Sequence, residues 1–383
     1  MSHSPFSTDR VKAGLSSVNS ILGSDRDMLD ETAFQRVIAL ERRRTERSRK
    51  PFMLMLVDGY EQSLLKGFDY GRLLEALAVS IRETDVVGWY RTGHVFGVIF
   101  TEINIDDRGA MIDSMTSRID DVLHLHLGLE RLKGLQISFH VFPEDWHKGA
   151  NGNPSNPTLY PDLSKRTTDK RINTVLKRVM DIVGSAITLA LLFPAFVVIA
   201  LAIKLTSKGP VFFRQQRIGE QGKPFVFLKF RSMYAGNDPH VHREYVKKLI
   251  AGTAERHGCN GDRKGVFKLT RDSRITPLGA FLRRASLDEL PQFINVLKGE
   301  MSLVGPRPPI PYEVEAYDLW HRRRLVEAKP GITGLWQVRG RSRVKFDDMV
   351  RLDLEYARSW SIWMDIKILV RTPLAVVLGD GAH

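Results

Sequence analysis

Cysteine is almost missing from this 383-residue chain, with Cys259 standing alone. A single thiol cannot close an intramolecular disulfide, and it fits a reducing compartment. The N-terminus lacks a basic stretch followed by an apolar one, so no signal peptide is expected and the first ordered segments should begin in the cytoplasm. Internal repeats and low-complexity tracts are missing too, which leaves a repeat array or a compositionally disordered chain without support. Acidic residues are scarce in one half only. Residues 1–150 carry a formal charge of −3, whereas residues 151–383 carry +16. The basic surplus of the second half calls for an anionic partner: phosphate, acidic lipid or nucleic acid.

What is present divides into two halves. The first has mixed α/β patterning, with a helix expected over Glu31–Arg49 and an apolar strand over Phe52–Val57 that ends at Asp58-Gly59. A second helix is expected from Tyr70 to Arg82. Strands follow at Val86–Tyr90 and Val95–Phe100, around a turn at Thr92-Gly93-His94. A helix over Met111–Leu127 and a strand over Leu135–Phe142 complete the set. The run ERRRTERSRK, Glu41–Lys50, has the character of a solvated helix face, with lipid contact as the second reading. Gly, Asn, Pro and Ser without periodicity mark 148–168 as a linker. The expected division is residues 1–150, a linker at 151–170, and a second domain at 171–383.

Charge vanishes altogether from Ile182 to Ile203, 22 residues long. As one helix this segment would extend about 33 Å, enough for a hydrocarbon core. Pro194 sits near its middle and removes a backbone donor there. Lys177 and Arg178 precede it, and Lys204, Lys208, Arg214 and Arg217 follow it. Positive charge on both flanks places both ends on the cytoplasmic face. A re-entrant hairpin satisfies the proline and the charges together; a buried core helix and a single span are the competing readings.

Groups that handle phosphate gather from Phe267 onward. Arg283 and Arg284 stand one helical turn before the adjacent acids Asp288 and Glu289, and Pro291 places that dyad near a helix start. The neighbouring guanidinium groups and the helix end should keep both carboxylates ionised, as metal ligands or as a nucleophile. Arg307 lies between Pro306 and Pro308, which would hold its guanidinium for phosphate contact. Gly331, Gly334 and Gly340 surround Trp336, Arg339 and Arg341, and a strand-like PFVFLKFRSM carries Lys229 and Arg231. Each feature alone is weak, since an Asp-Glu pair is usually surface charge and Pro-Arg-Pro usually a turn. Their clustering behind a proline-broken apolar segment is what points to chemistry.

Residues 176–382 resemble the monotopic phosphoglycosyl transferases, the bacterial sugar transferase family, through KRVMDIVGSAITLALLFP, GPVFFRQQRIG, LKFRSM, SLDELPQFINVLKGEMSLVGPRP, KPGITGLWQVRGR and DLEYARSWSIWMDIKIL, in that order. The resemblance implies a mainly α, membrane-associated catalytic domain with a re-entrant helix broken at Pro194 and amphipathic helices at the interface. It implies that Asp288 is a nucleophile attacking the β-phosphate of a UDP-sugar, that UMP leaves, and that polyprenyl (undecaprenyl) phosphate then takes the phosphosugar. Glu289 would help Asp288 hold Mg²⁺. Lys229, Arg283 and Arg307 match phosphate- or substrate-binding positions, while Arg231, Arg284 and Arg341 are candidates from charge and location. The family commonly has serine before the membrane proline; here Phe193 stands there, so a shallower or differently stabilised kink is expected. The bacterial inner membrane, with the soluble parts in the cytoplasm, is the implied location.

The first half is similar, much more faintly, to a degenerate diguanylate-cyclase (GGDEF) domain. Thr92-Gly93-His94-Val95-Phe96 would be the signature turn, with both acidic positions lost to His94 and Val95. Metal and GTP chemistry are therefore not expected. Arg82 and Asp85 resemble the upstream inhibitory RxxD motif one residue out of register, leaving a cyclic dinucleotide as one reading and a ligand-free regulatory or dimerising domain as the other. His240 and His242 are expected as loop histidines, not ligands, and Trp320, Trp360 and Trp363 as interfacial anchors or core. Two rival functions stand beside the enzyme: a membrane-tethered nucleotide sensor, disfavoured by the intact SLDELPQ and GPRP, and a nucleic-acid binder, disfavoured by the lack of a recognised motif.

Overall fold

The computed structural model describes residues 28–59, 81–101, 103, 113–117, 119, 135–144, 156–162, 171–234, 240–254, 274–340 and 344–377. The chain divides into two compact units, Met1–Glu144 with Asn156–Arg166, and Asp145–Ser155 with Thr167–His383.

In the first unit Asp30 caps α1 (Glu31–Ser48) by accepting a hydrogen bond from Ala33 N, and the left-handed Arg49 ends it. Strands β1 (Phe52–Gly59), β2 (Val86–Arg91), β3 (Val95–Phe100) and β4 (Leu135–Phe142) form an antiparallel sheet in the order β2-β3-β1-β4. β1 is buried on both faces, which is why it is a continuous apolar run and not an alternating one. On one face Phe34 of α1 lies so close to the sheet that a Cβ on Gly88 or Gly97 would come within 2.6 Å of its ring. On the other, Met53, Met55, Val57, Trp89 and Phe96 join a core that includes Ile119. Residues 113–117 and 119 are helical, inside the expected 111–127; the helix expected at Tyr70–Arg82 falls outside the described residues except at its end.

Residues 156–162, inside the stretch with linker composition, dock onto this unit. Leu159 and Tyr160 are buried, Tyr160 packs edge-on to Phe142 and under the guanidinium of Arg42, and Arg42 pairs with Asp162. Glu41, Arg42 and Thr45 are buried, which corrects the solvated-face reading of Glu41–Lys50 at those three positions. At the turn between β2 and β3, Glu31 accepts hydrogen bonds from Thr92 N and Oγ1 at 3.0 and 3.1 Å. Asp85 accepts from the backbone N–H groups of Arg82 and Thr101, so its carboxylate braces a turn.

The second unit opens with α2 (Arg171–Leu191) and α3 (Phe193–Thr206), which meet at Leu192 and bend by 62°. Pro194 lies in the first turn of α3, where its missing N–H is tolerated. The bend is sharp although Phe193, which has no hydroxyl, stands before the proline. Among the described residues no single helix is long and apolar enough to cross a membrane; this bent pair meets the length and composition required together. Its outer surface is apolar and exposed, with Leu191, Phe193, Val198 and Leu205 between 64 and 86% accessible.

The start of α2 is fastened to the body instead. Lys177 pairs with Asp365 at 2.6 Å, Arg178 donates to the carbonyls of Val296 and Leu297, and buried Asp181 accepts from Ser302 Oγ and Leu303 N. The positive flank read from the sequence as topological charge is thus engaged inside the protein. The body consists of the hairpin β5 (Phe212–Ile218) and β6 (Pro224–Phe230), a two-stranded parallel pair β7 (Ser302–Val304) and β8 (Gly331–Thr333), and short helices around them. These are α4 (His240–Ile250), α5 (Pro277–Arg284), α6 (Gln292–Lys298), α7 (Pro311–Glu315), α8 (Leu319–Glu327), α9 (Leu335–Arg339), α10 (Phe346–Ser359) and α11 (Ile362–Val377). His240 and His242 open α4, so the loop expectation for them does not hold. Trp360 bonds to Asp365, Trp320 packs on His321, and Trp363 is exposed.

Candidate active site

Thr276 caps α5, which carries Arg283 and Arg284 in its last turn. The chain then breaks at Ser286, whose φ of 55° puts a non-glycine residue in the left-handed region at a cost of about 1–2 kcal/mol. Leu287–Glu289 follow as one turn of 3-10 helix, and after Leu290 and Pro291 the chain continues as α6. The dyad therefore lies just before a helix start, as expected. Leu287 and Leu290 pack into a core with Ile199 and Ile203 of α3, and with Phe230 and Leu282. Apolar contact on one side and the charged side chains on the other fix this turn and bury Asp288 to 6% exposure.

Lys229 reaches the dyad from β6, with Nζ 2.9 Å from Glu289 Oε1 and 3.8 Å from Asp288 Oδ2. Arg307 NH1 lies 3.6 Å from the same Glu289 oxygen. Asn295 of α6 holds the two elements together: it accepts from Leu228 N and donates to the carbonyl of Val226. The carboxylates do not behave alike. Burial raises the Asp288 carboxyl, Lys229 opposes this, and the neighbouring Glu289 charge pushes it up further. Burial acts on Glu289 too, but Lys229 and Arg307 outweigh it and hold that carboxyl at about 2. Charge thus wins at Glu289, which is held ionised as expected, while at Asp288 burial counts for more than the neighbouring cations and the carboxyl is raised. A carboxylate with a raised pKa is the more basic and the better nucleophile of the two.

Arg307 is held through its backbone. Arg324 donates to the Arg307 carbonyl at 2.6 Å, Arg217 to Pro308 O at 2.6 Å, and Ile218 N to Pro309 O. Gly305 and Gly331 meet where β7 and β8 pair, and a Cβ on Gly331 would lie 2.1 Å from Gly305 N, so neither side of that contact tolerates a side chain. Both Arg217 and Arg324 are buried. Burial, with Arg307 nearby, brings the Arg217 guanidinium down to about 10, still charged at neutral pH. Arg324 lies 3.3 Å from Asp353, whose carboxyl burial raises to about 6.

The remaining sequence candidates scatter. Arg283 lies close enough to act electrostatically on Asp288, and its NH1 is buried with no hydrogen-bond partner among the described residues. Arg284 is exposed and makes no ion pair among the described residues. Arg231 is buried and donates to the carbonyl and hydroxyl of Ser207, at the end of α3, so the contacts it makes are those of a fastening for the bent helix pair. Arg341 lies outside the described residues. Sequence reasoning took Arg217 and Lys177 only as flanking charge and passed over Arg324, Asp353, Asp181 and Asp365. Two of the contacts that tie them to other elements, Lys177 with Asp365 and Asp181 with Ser302, span more than a hundred residues, and only the spacing of a buried charge in an apolar helix could have hinted at them.

Among the described residues no cluster of three or more His, Cys, Asp or Glu side chains could hold a metal by itself. The donor set of Asp288 and Glu289 nevertheless fits Mg²⁺, which commonly takes one or two carboxylates and fills its remaining positions with water and substrate phosphates.

The family model described as bacterial sugar transferase matches residues 172–379. A galactosyl transferase CpsE of Streptococcus agalactiae is 46% identical over 215 residues, covering 56% of this chain and 44% of that protein. The UDP-glucose:undecaprenyl-phosphate glucose-1-phosphate transferase of Escherichia coli is 42% identical over 61% of this chain and 46% of its own. The exopolysaccharide production protein ExoY of Rhizobium meliloti is 35% identical and is covered in full, by 62% of this chain. The chain thus spans about half the length of the first two relatives. A crystal structure of a DGC protein from Thermotoga maritima aligns with 31% of this chain and 84% of its own at 16% identity, with a TM-score of 0.25, a likeness too slight to carry any assignment.

Proposed function

Because this chain belongs to the bacterial sugar transferase family, we propose that it moves a sugar 1-phosphate from a UDP-sugar to undecaprenyl phosphate, and so begins an exopolysaccharide, capsule or O-antigen. One observation carries this reading: Asp288, buried and raised in basicity, sits beside an ionised Glu289 under the cations Lys229 and Arg307.

An oxygen of Asp288 attacks the β-phosphorus of the donor, the bond from that phosphorus to the bridging oxygen breaks, and UMP leaves with the electron pair. The phosphosugar is now an acyl phosphate on Asp288. A phosphate oxygen of the lipid carrier then attacks the same phosphorus and returns Asp288 as a carboxylate. No proton has to move in either displacement. Lys229 and Arg307 face the charge that gathers around phosphorus, and the braced backbone of Arg307 keeps its guanidinium in place without rearrangement. Asp288 and Glu289 would hold Mg²⁺, which when bound neutralises the donor's diphosphate.

The bent pair α2–α3 is proposed to enter the cytoplasmic leaflet of the bacterial inner membrane and leave it on the same side, leaving the site in the cytoplasm at the surface where the carrier's phosphate lies. The exposed apolar residues of α3 and the fastening of α2 to the body by Lys177, Arg178 and Asp181 support it. The first unit would serve as a regulatory or dimerising domain. Release of UMP from a panel of UDP-sugars, with Mg²⁺ and undecaprenyl phosphate, tests the reaction. Turnover with one sugar that disappears in Asp288→Asn is expected; retained UMP release in that variant removes Asp288 as the nucleophile.

A further inference from the structure

Gln292 is 2% exposed, and its Nε2 finds no hydrogen-bond partner among the described residues. An unpaired buried donor is costly, and native structures keep few of them. The contrast with Asn295, three residues further along α6, is direct. That amide is fully buried and fully used: its oxygen accepts from Leu228 N, and its nitrogen donates to Val226 O and Glu300 Oε2. Packing around α6 therefore does not leave amides unsatisfied in general.

The position of Gln292 suggests what its donor is for. The backbone is helical from Leu287 through Leu290 (φ −52°, ψ −38°) and Pro291 (φ −61°, ψ −16°) into α6, so Gln292 follows Asp288 by four residues, about one turn, along one helical path. Asp288 is likewise buried, and its carboxylate accepts no hydrogen bond among the described residues; Lys229 comes no nearer than 3.8 Å. A spare donor and an acceptor without a donor thus stand one turn apart.

We propose that the Gln292 amide is a phosphoryl-binding donor, engaged by a non-bridging oxygen of the phosphosugar as it passes onto and off Asp288. The inference rests on the transferase reading above. In the covalent state, Asp288 carries a tetrahedral phosphoryl group whose oxygens extend beyond the reach of the free carboxylate. A neutral amide serves that group without a cost that another cation would impose. A further positive charge, beyond Lys229, Arg283 and Arg307, would lower the basicity of Asp288 before attack, whereas an amide not bonded to the free carboxylate leaves it intact and acts when phosphorus arrives.

The test uses the full chain in lipid nanodiscs, with UDP-glucose and UDP-galactose as donors and Mg²⁺ present. Three quantities are measured for wild type, Gln292→Leu and Gln292→Glu: the single-turnover rate of UMP release, the donor KM, and the thermal midpoint. Gln292→Leu is expected to release UMP about 100-fold more slowly, the usual loss for one such donor. Its KM should stay within about twofold and its thermal midpoint should be equal to or above that of wild type, since leucine removes an unpaired polar group. Gln292→Glu is expected to be slower still at pH 8 and to recover rate as the pH falls and the new carboxyl takes up a proton. A leucine variant with wild-type release overturns the inference, as does one whose loss of rate only tracks a loss of folded protein. Wild type that releases no UMP from either donor overturns the transferase reading for those sugars and removes the basis of this inference with it.

Discussion

The ammonium of Lys229 lies 2.9 Å from one carboxylate oxygen of Glu289, with 17 and 24% of the two side chains accessible. This pair sets the electrostatics of the dyad, because the cation that holds Glu289 ionised is the same one that opposes the rise of Asp288. Lys229→Met should therefore cut turnover by at least about 100-fold, comparable to losing a transition-state donor. Steady-state UMP release measures it. A variant within tenfold of wild type would remove Lys229 from the charge balance at phosphorus.

The Glu289 carboxyl is held at about 2, below its ordinary 4.5. A depressed carboxyl contributes stability that is present above the unfolded pKa and is lost as pH falls through the folded one. The contribution of roughly 3 kcal/mol near pH 5 should fall by about half on going to pH 3. Asp288, shifted the other way, offsets part of this in the wild type. The thermal midpoints of wild type and Glu289→Gln in detergent should accordingly converge as the pH drops from 5 to 3. A constant gap would mean that Glu289 is not paired as described.

Asp365 is completely buried and receives Lys177 Nζ at 2.6 Å, Tyr356 OH at 2.7 Å and Trp360 Nε1 at 3.1 Å. Asp365→Ala takes the paired carboxylate from Lys177, leaves Lys177 and Tyr356 the Val304 carbonyl to share, and should cost about 3–5 kcal/mol. Thermal unfolding should show a loss larger than that from replacing an exposed apolar residue such as Val370 with alanine.

Arg324 supports Arg307 only through the main chain. Arg324→Met should raise the donor KM several-fold and lower the rate, while Arg324→Lys should restore part of both, because a lysine can still reach the Arg307 carbonyl. Unchanged KM in the methionine variant would show that the loop keeps its shape without this tie.

The proposed re-entrant path is open to labelling. In a Cys259→Ser background, Ile172→Cys and Lys208→Cys should both react with an impermeant maleimide from the cytoplasmic face of membrane vesicles and neither from the other face. Labelling from opposite faces would replace the hairpin with a span.

Local patterning carried much of this structure. The strands Val95–Phe100 and Leu135–Phe142 match their expected bounds, and the break falls at Leu192, two residues before Pro194 in the first turn of α3, because period, turn residues and a missing N–H all act over a few positions. The dyad and its cations Lys229 and Arg307 were legible through charge set among fixed motifs. The tie from Arg231 to Ser207 was not, because that partner lies 24 residues earlier and no periodicity reveals it. Asp181 and Asp365 were invisible for the same reason, since a carboxylate in an apolar helix shows its purpose only when the donor from another element arrives. The raised Asp288 belongs here too. Charge can be counted along a chain, but burial depends on Leu287, Leu290 and α3 closing over the turn.

That closure has a mechanical consequence. The residues that seat the turn of Asp288, Leu287 and Leu290, share one apolar cluster with Ile199 and Ile203, well inside the second arm of the bent pair. No compliant linker separates the arm from the turn. On the proposed re-entrant path, lateral pressure and leaflet thickness would press on the same contacts that set how dry Asp288 is, and hence how basic. Lipid composition would then act as a tuning screw on the first chemical step, felt through packing alone.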